Sequence, residues 1–163
     1  MALTTQQQAT LKAYILSEPA LAAQPMNGDG AYAIASVINQ PASPAFIVWR
    51  TDVSVDEIMR NGIDWARVDN LSVGKARIWD WMGRLGVINA SKPNIRAGID
   101  ATWVGTAADL AVRAAVYVHC KRAATIVEKL FATGVGTDAT PATMAFEGAI
   151  SYQDVEAARN SNG

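Results

Sequence analysis

From Thr106 onward the chain places Leu110, Ala114, Tyr117, Cys120, Ala124, Val127 and Phe131 at helical spacing, so that one apolar stripe runs to Gly134. Thr106 with Asp109 three residues on supplies a helix start, and Gly134 supplies a stop. The pattern predicts a single helix over Thr106 to Thr133, roughly 40 Å long at 1.5 Å per residue. In a chain of 163 residues such a helix becomes the scaffold for shorter ones. The expected fold is therefore mainly α: a helical bundle around one long helix in the C-terminal half, with a short β-hairpin near the C-terminus.

The remaining segments supply the shorter helices. Thr4 and Thr5, followed by Gln7 and Gln8, form a capping-box pattern ahead of Leu11, Tyr14 and Ile15. Pro19 and Pro25 bracket a loop, after which Asp29 is placed to cap a helix with Ala31, Ile34, Ala35 and Ile38 on one face. The apolar run AFIVW favours an extended segment. Ser54 and Glu57 mark a short helix stopped by Asn61-Gly62. A further stripe of Val73, Ala76, Trp79, Met82 and Leu85 ends at Gly86, and Ser91 with Pro93 opens a helix carrying Ile95, Ile99 and Trp103.

The last residues break the helical period. Met144 and Phe146, then Ile150 and Tyr152, alternate with small or polar residues around Glu147-Gly148, the period of strands with one covered face. This predicts a hairpin carried on a Gly/Thr/Pro-rich arm, with Ser151 and Asp154 starting one more helix through YQDVEAARN. The expected division is a helical body over residues 1–136 and a flexible arm over residues 137–163, within a single domain. A hairpin this short needs a partner surface. Met144, Phe146, Ile150 and Tyr152 are accordingly candidate interface residues, either capping the chain's own core or pairing with a neighbour. Trp81 joins them, because Trp79 and Trp81 stand two apart on a helix and face different directions.

Charge and composition narrow the chemistry. With 14 basic and 15 acidic residues the formal charge is −1, which lacks the basic excess that drives general attachment to phosphate backbones. Charged residues make up only 18% while half the residues are apolar, a density that hints at surface covered by assembly. The opening MALTTQQQATLKAYIL has neither the basic leader nor the apolar core of a secretory signal, and no stretch is apolar enough to cross a bilayer, so a soluble protein without a membrane partner is expected.

No catalytic, cofactor-binding or metal-binding set emerges. The dinucleotide, P-loop and nucleophile-elbow signatures are absent. Cys120 is the single cysteine and His119 the single histidine, which excludes an internal disulfide and the familiar His/Cys zinc patterns. Adjacent helical residues point about 100° apart, so His119 and Cys120 read as packing rather than as a base and its nucleophile. Asp64, Asp69, Asp80, Asp100 and Asp109 have no spacing that aims two carboxylates at one ion or sugar. A helix-turn-helix nucleic-acid regulator is the rival of another class, resting on Lys75, Arg77 and Arg84 in SVGKARIWDWMGRLG, although these three do not share one face. Lys121, Arg122 and Lys129 read as a solvated side, or as the lining of a negatively charged channel or partner.

Three segments together carry a resemblance: MALTTQQQATLKAYILSEP, GDGAYAIASVINQPASPAFIVWRT and KRAATIVEKLFATGVGTDATPATMAFEGAISYQDVEAAR, about half of the chain. They resemble a family of small structural-module proteins of tailed bacteriophages; the middle, about Val55 to Val104, does not share in it. The resemblance implies a virion structural protein without catalytic residues, at the neck between head and tail. There a homo-oligomeric ring of adaptor (head–tail connector) subunits would meet the portal protein on one side and a tail or stopper protein on the other, with DNA touched only passively in the channel. Localisation would be the virion neck, and the host cytoplasm during assembly. Other stations under the same resemblance are a tail-completion subunit, a capsid decoration protein or a chaperone for tail assembly.

Overall fold

Local capping chemistry sets most of the helix starts in the computed structural model, which describes residues 3–60 and 63–161. Helix α1 (Thr5–Ser17) opens on the expected box: the Thr4 hydroxyl accepts from the Gln7 amide at 3.2 Å, and the Gln7 side chain accepts from the Thr4 amide at 3.0 Å. Pro19 then stands in the first turn of a short helix, α2 (Pro19–Ala22), where its missing N–H is no loss, so the stretch after Pro19 is not all loop. Helix α3 (Gly28–Ile38) is capped by Asn27 rather than Asp29: the Asn27 side chain accepts from the Gly30 amide at 3.0 Å, and Asp29 lies inside the first turn. Residue 30 must be glycine, because a Cβ there would run into the Pro25 carbonyl.

Strand β1 (Ile47–Trp49) is the extended core of AFIVW. After it come β2 (Val53–Ser54), α4 (Val55–Arg60), α5 (Trp65–Asp69), α6 (Val73–Arg84), β3 (Val87–Ile88), α7 (Pro93–Thr102), α8 (Ala107–His119) and β4 (Lys121–Ala123). The chain closes with α9 (Ile126–Leu130), β5 (Ala132–Thr133), β6 (Thr143–Met144) and α10 (Tyr152–Asn160). The stop expected at Asn61-Gly62 lies outside the described residues.

The single long helix does not exist, and with it goes the bundle built around it. Helix α8 starts where expected, on a Thr106–Asp109 capping box, but ends at Cys120 after 13 residues, roughly 20 Å. No helix among the ten described is longer. Beyond Cys120 the backbone is extended, β4 lies beside β1, and the Arg50 amide donates to the Cys120 carbonyl at 2.9 Å. A second capping box then restarts the helix: the Thr125 hydroxyl accepts from the Glu128 amide, and Glu128 Oε2 accepts from the Thr125 amide at 2.9 Å. The T-x-x-E pattern of a helix start therefore stands inside the stripe that suggested continuity. The burial of its upper half also follows a different phase. Leu110 is 41% exposed and Ala114 is exposed, while Asp109, Val112, Val116 and Cys120 turn inward.

The terminal hairpin is corrected as well. Met144 does pair, but backward onto Ala132, with Thr143 on Thr133, in the antiparallel β5–β6 ladder. Tyr152 opens α10, where the Ser151 hydroxyl accepts from the Asp154 amide and Asp154 accepts from the Ser151 amide at 2.9 Å. Helical capping at Ser151 overrides the strand alternation of the two residues flanking it.

Two compact units result, divided at 46/47 and 122/123. The terminal unit combines residues 1–46 and 123–163; the inserted unit is residues 47–122. In the terminal unit α10 packs on α1 and α3. Its core includes Leu11, Ile15, Ile34, Ile38, Val127 and Val155. The inserted unit has a separate core with Val53, Ile58, Ile88, Ile99, Trp103 and Val116. Trp79 meets Trp103 edge-on with ring centroids 5.2 Å apart, and β2 pairs with β3 through Val53↔Ile88. Each such fully buried side chain contributes about 1.5–3 kcal/mol.

Candidate interaction surface

Helix α6 has a buried side and an outward side of unusual composition. Trp79 and Met82 sink into the core at 8% and 6% exposure. Val73, Arg77, Trp81 and Leu85 follow at steps of four along the opposite side, the spacing that keeps residues on one face. Val73, Trp81 and Leu85 are 70%, 65% and 57% exposed, and Val87 just beyond them is 52% exposed. Isolated apolar side chains on a surface are ordinary; here three large ones share one helix face, with the exposed Arg77 between Val73 and Trp81.

Beside this row the inserted unit holds a cavity of about 320 Å³. Val55, Ile58 and Met59 of α4, Val68 and Leu71 around α5, and Ala76, Trp79 and Gly83 of α6 form its walls, with Ile88 of β3. Its polar lining is the ion pair of Asp80 and Arg84, with Arg84 Nε donating to Asp80 Oδ2 at 2.9 Å. Both side chains are largely exposed, so the pair marks the mouth and the depth is apolar. Such a site suits an apolar side chain or ligand and offers few polar groups to orient a reacting one. Little in the sequence signals it, because two of its walls come from helices of six and five residues whose apolar positions are too few for a period.

The candidate interface residues are divided between the two units, Trp81 in the inserted one and the other four in the terminal one. Phe146 packs edge-on against Phe131 with centroids 5.7 Å apart and lies on the core of the terminal unit, and Ile150 is buried at 4% exposure. Met144 is half-buried in β6, and Tyr152 is 42% exposed at the start of α10. Of the candidates only Trp81, in the inserted unit, presents most of its side chain to solvent.

Several ionisable groups of the inserted unit pair with one another. Arg50 Nη1 donates to Glu57 Oε1 at 2.9 Å and to the His119 carbonyl at 3.1 Å, and His119 Nδ1 stands 3.2 Å from the same Glu57 oxygen. The Arg50 hydrogen bond holds the Glu57 carboxyl below its ordinary range, with burial opposing and His119 assisting. Arg67 clamps Asp109 through Nε at 3.2 Å and Nη2 at 2.6 Å. That clamp, with the backbone and hydroxyl of Thr106, brings the Asp109 carboxyl down to about 2. Tyr117 donates to Asp100 at 3.0 Å, and burial together with that carboxylate raises its phenol. Asp64 caps α5 through the Ala66 amide. Among the described residues no three His, Cys, Asp or Glu side chains come together as metal ligands.

His119 and Cys120 part company at the end of α8. The thiol is fully buried and burial pushes it up to about 11, while the imidazole turns to Glu57. The basic trio of the nucleic-acid reading is also divided. Lys75 donates to the Val104 carbonyl at 2.8 Å and Arg84 is held by Asp80. Among the described residues no helix is long and apolar enough to cross a membrane. No protein-family model, curated protein or solved structure matches the chain.

Proposed function

We propose that the chain is a virion structural protein of a tailed bacteriophage, a head–tail connector subunit that assembles into a homo-oligomeric ring between portal and tail. The observation that carries an assembling role is the outward row of α6, where Val73, Trp81 and Leu85 stand largely exposed beside an apolar cavity. An enzyme would need convergent polar groups in its pocket, and the cavity wall offers chiefly aliphatic and aromatic carbon. The neck assignment rests on the resemblance of the two ends of the chain to small phage structural proteins. Partners under this reading are the portal and a tail or stopper protein, with DNA passing through the ring.

Imaging tests it. The purified chain is mixed at micromolar concentration with a portal protein from the same genome, and the particles are examined by electron microscopy. An added ring on the tail-facing end of the portal is expected. Bare portal overturns the connector assignment, and binding to capsid or tail tube instead selects the decoration or tail-completion alternatives. Submicromolar affinity for random duplex DNA at physiological salt would favour the regulator.

A further inference from the structure

Trp81 and the depth of the cavity share one helix but not one side of it. At about 100° per residue, Trp81 points some 160° around α6 from the cavity-lining Gly83 and Trp79, and about 100° and 60° from Asp80 and Arg84 at the mouth. A projecting side chain on one side and a receptacle on the other cannot meet within one molecule. A two-fold contact can satisfy the pair only reciprocally, each Trp81 entering the other copy's cavity. A head-to-tail arrangement satisfies it once per interface and propagates into rings or filaments, the arrangement that the ring reading requires.

We infer that the indole of Trp81 from one copy of this chain seats in the α4–α5–α6 cavity of the next. Size supports the fit, since an apolar cavity of about 150 Å³ holds benzene and this one measures about 320 Å³. Charge supports it as well. Arg77, one turn before Trp81, is exposed and makes no hydrogen bond or ion pair among the described residues. Asp80 at the mouth gives Oδ2 to Arg84, which leaves Oδ1 to receive the arriving guanidinium. Gly83 completes the receptacle: nothing lies within 4 Å of where its Cβ would stand. This contact rests on the ring reading above and names the surfaces that would close the ring.

Complementary variants test it. Trp81→Ala removes the projection and leaves the cavity; Gly83→Leu blocks the cavity and leaves the projection. In sedimentation velocity at up to about 1 mM, where a contact with Kd of that order is half populated, the wild-type chain should form species larger than a dimer. Each variant alone should stay monomeric, its association at least tenfold weaker. Their equimolar mixture should form a one-to-one dimer and nothing larger, since one intact projection meets one intact cavity. Circular dichroism verifies that each variant is folded, and the exposed pair Arg77→Glu and Asp80→Lys provides a second, independent test, each weakening association and the mixture restoring it. A monomeric wild type, an oligomer unchanged by Trp81→Ala, or a mixture that stays monomeric overturns the contact. A wild type that crowns the portal while these variants assemble normally overturns the contact alone. A knob-and-cavity oligomer that ignores the portal overturns the neck reading alone.

Discussion

Asn39 and Ile150 are joined by a reciprocal pair of hydrogen bonds: the Asn39 amide donates to the Ile150 carbonyl at 2.9 Å, and the Ile150 amide donates to Asn39 Oδ1 at 3.0 Å. The pair ties the end of α3 to the residue that leads into α10, across most of the sequence. Ile150 is buried, so an alanine at position 39 leaves both backbone groups to find new partners. Asn39→Ala should cost about 1–3 kcal/mol and lower the melting temperature by about 2–4 °C per kcal/mol in a chain of this size. Asn39→Asp, which keeps the acceptor and loses the donor, should fall between. Thermal melts of the three proteins check the order; equal melting temperatures would show that the pair contributes nothing.

A pH dependence follows from Asp109. Its carboxyl titrates near 2 in the folded chain, with the Arg67 clamp as the first cause, against an ordinary 3.8. A depressed carboxyl favours folding wherever it is ionised, so its contribution is fully present above pH 3.8 and is lost as pH falls through about 2. Denaturant midpoints should therefore fall over that window, and Asp109→Asn should flatten the fall while lowering the neutral-pH midpoint. A variant with the same acid slope as the wild type would assign the dependence to other carboxylates, Glu57 first.

What the sequence disclosed was local. The boxes at Thr4, Thr106 and Ser151 each need only a hydroxyl and an acceptor three residues on, and all three form. The outward position of Trp81 followed from its two-residue offset from Trp79. The break at Cys120 was less legible, because an alanine-rich stretch is helical by propensity and only Thr125 with Glu128 announced a restart. Glu128 has a further duty that no pattern encodes: Oε1 accepts from the Gly148 amide at 3.0 Å, fixing the loop after β6 from a buried position. The pairing of Met144 with Ala132 is a long-range choice of register, and the α4–α5–α6 cavity exists only once three short helices have packed.

Cys120 should behave as core. With the thiol buried and raised to about 11, roughly one molecule in a thousand carries thiolate at pH 8. Reaction with a disulfide or maleimide reagent should be slow in the native chain and complete in denaturant, as one equivalent because there is one cysteine. Cys120→Ser should destabilise by about 1–3 kcal/mol through the buried hydroxyl, with Cys120→Ala milder. Rapid native labelling at pH 8 would show instead a thiol accessible by local opening.

The strongest test of the architecture uses the placement of the tryptophans. All five, Trp49, Trp65, Trp79, Trp81 and Trp103, lie between residues 47 and 122, so indole fluorescence reports the inserted unit alone. That unit has its own core, and the chain enters and leaves it through the paired strands β1 and β4, which leaves its ends adjacent. The fragment Ile47–Arg122 should therefore fold by itself, with Trp103 and Trp79 giving blue-shifted emission and a cooperative denaturant transition. Deleting residues 149–163 is the complementary experiment. It removes Ile150, Val155 and Ala158 from the terminal core together with the helix packed on α1 and α3. Loss of three buried apolar side chains at about 1–3 kcal/mol each approaches the whole stability of a small domain, about 5–15 kcal/mol. The truncated chain should lose much of its far-ultraviolet helical signal at moderate temperature while its indole emission stays blue-shifted. A truncation that melts like the full chain would return the terminal segment to the status of an arm. Indole emission that reddens together with the helical loss, or an unfolded 47–122 fragment, would show that the two cores are one cooperative unit.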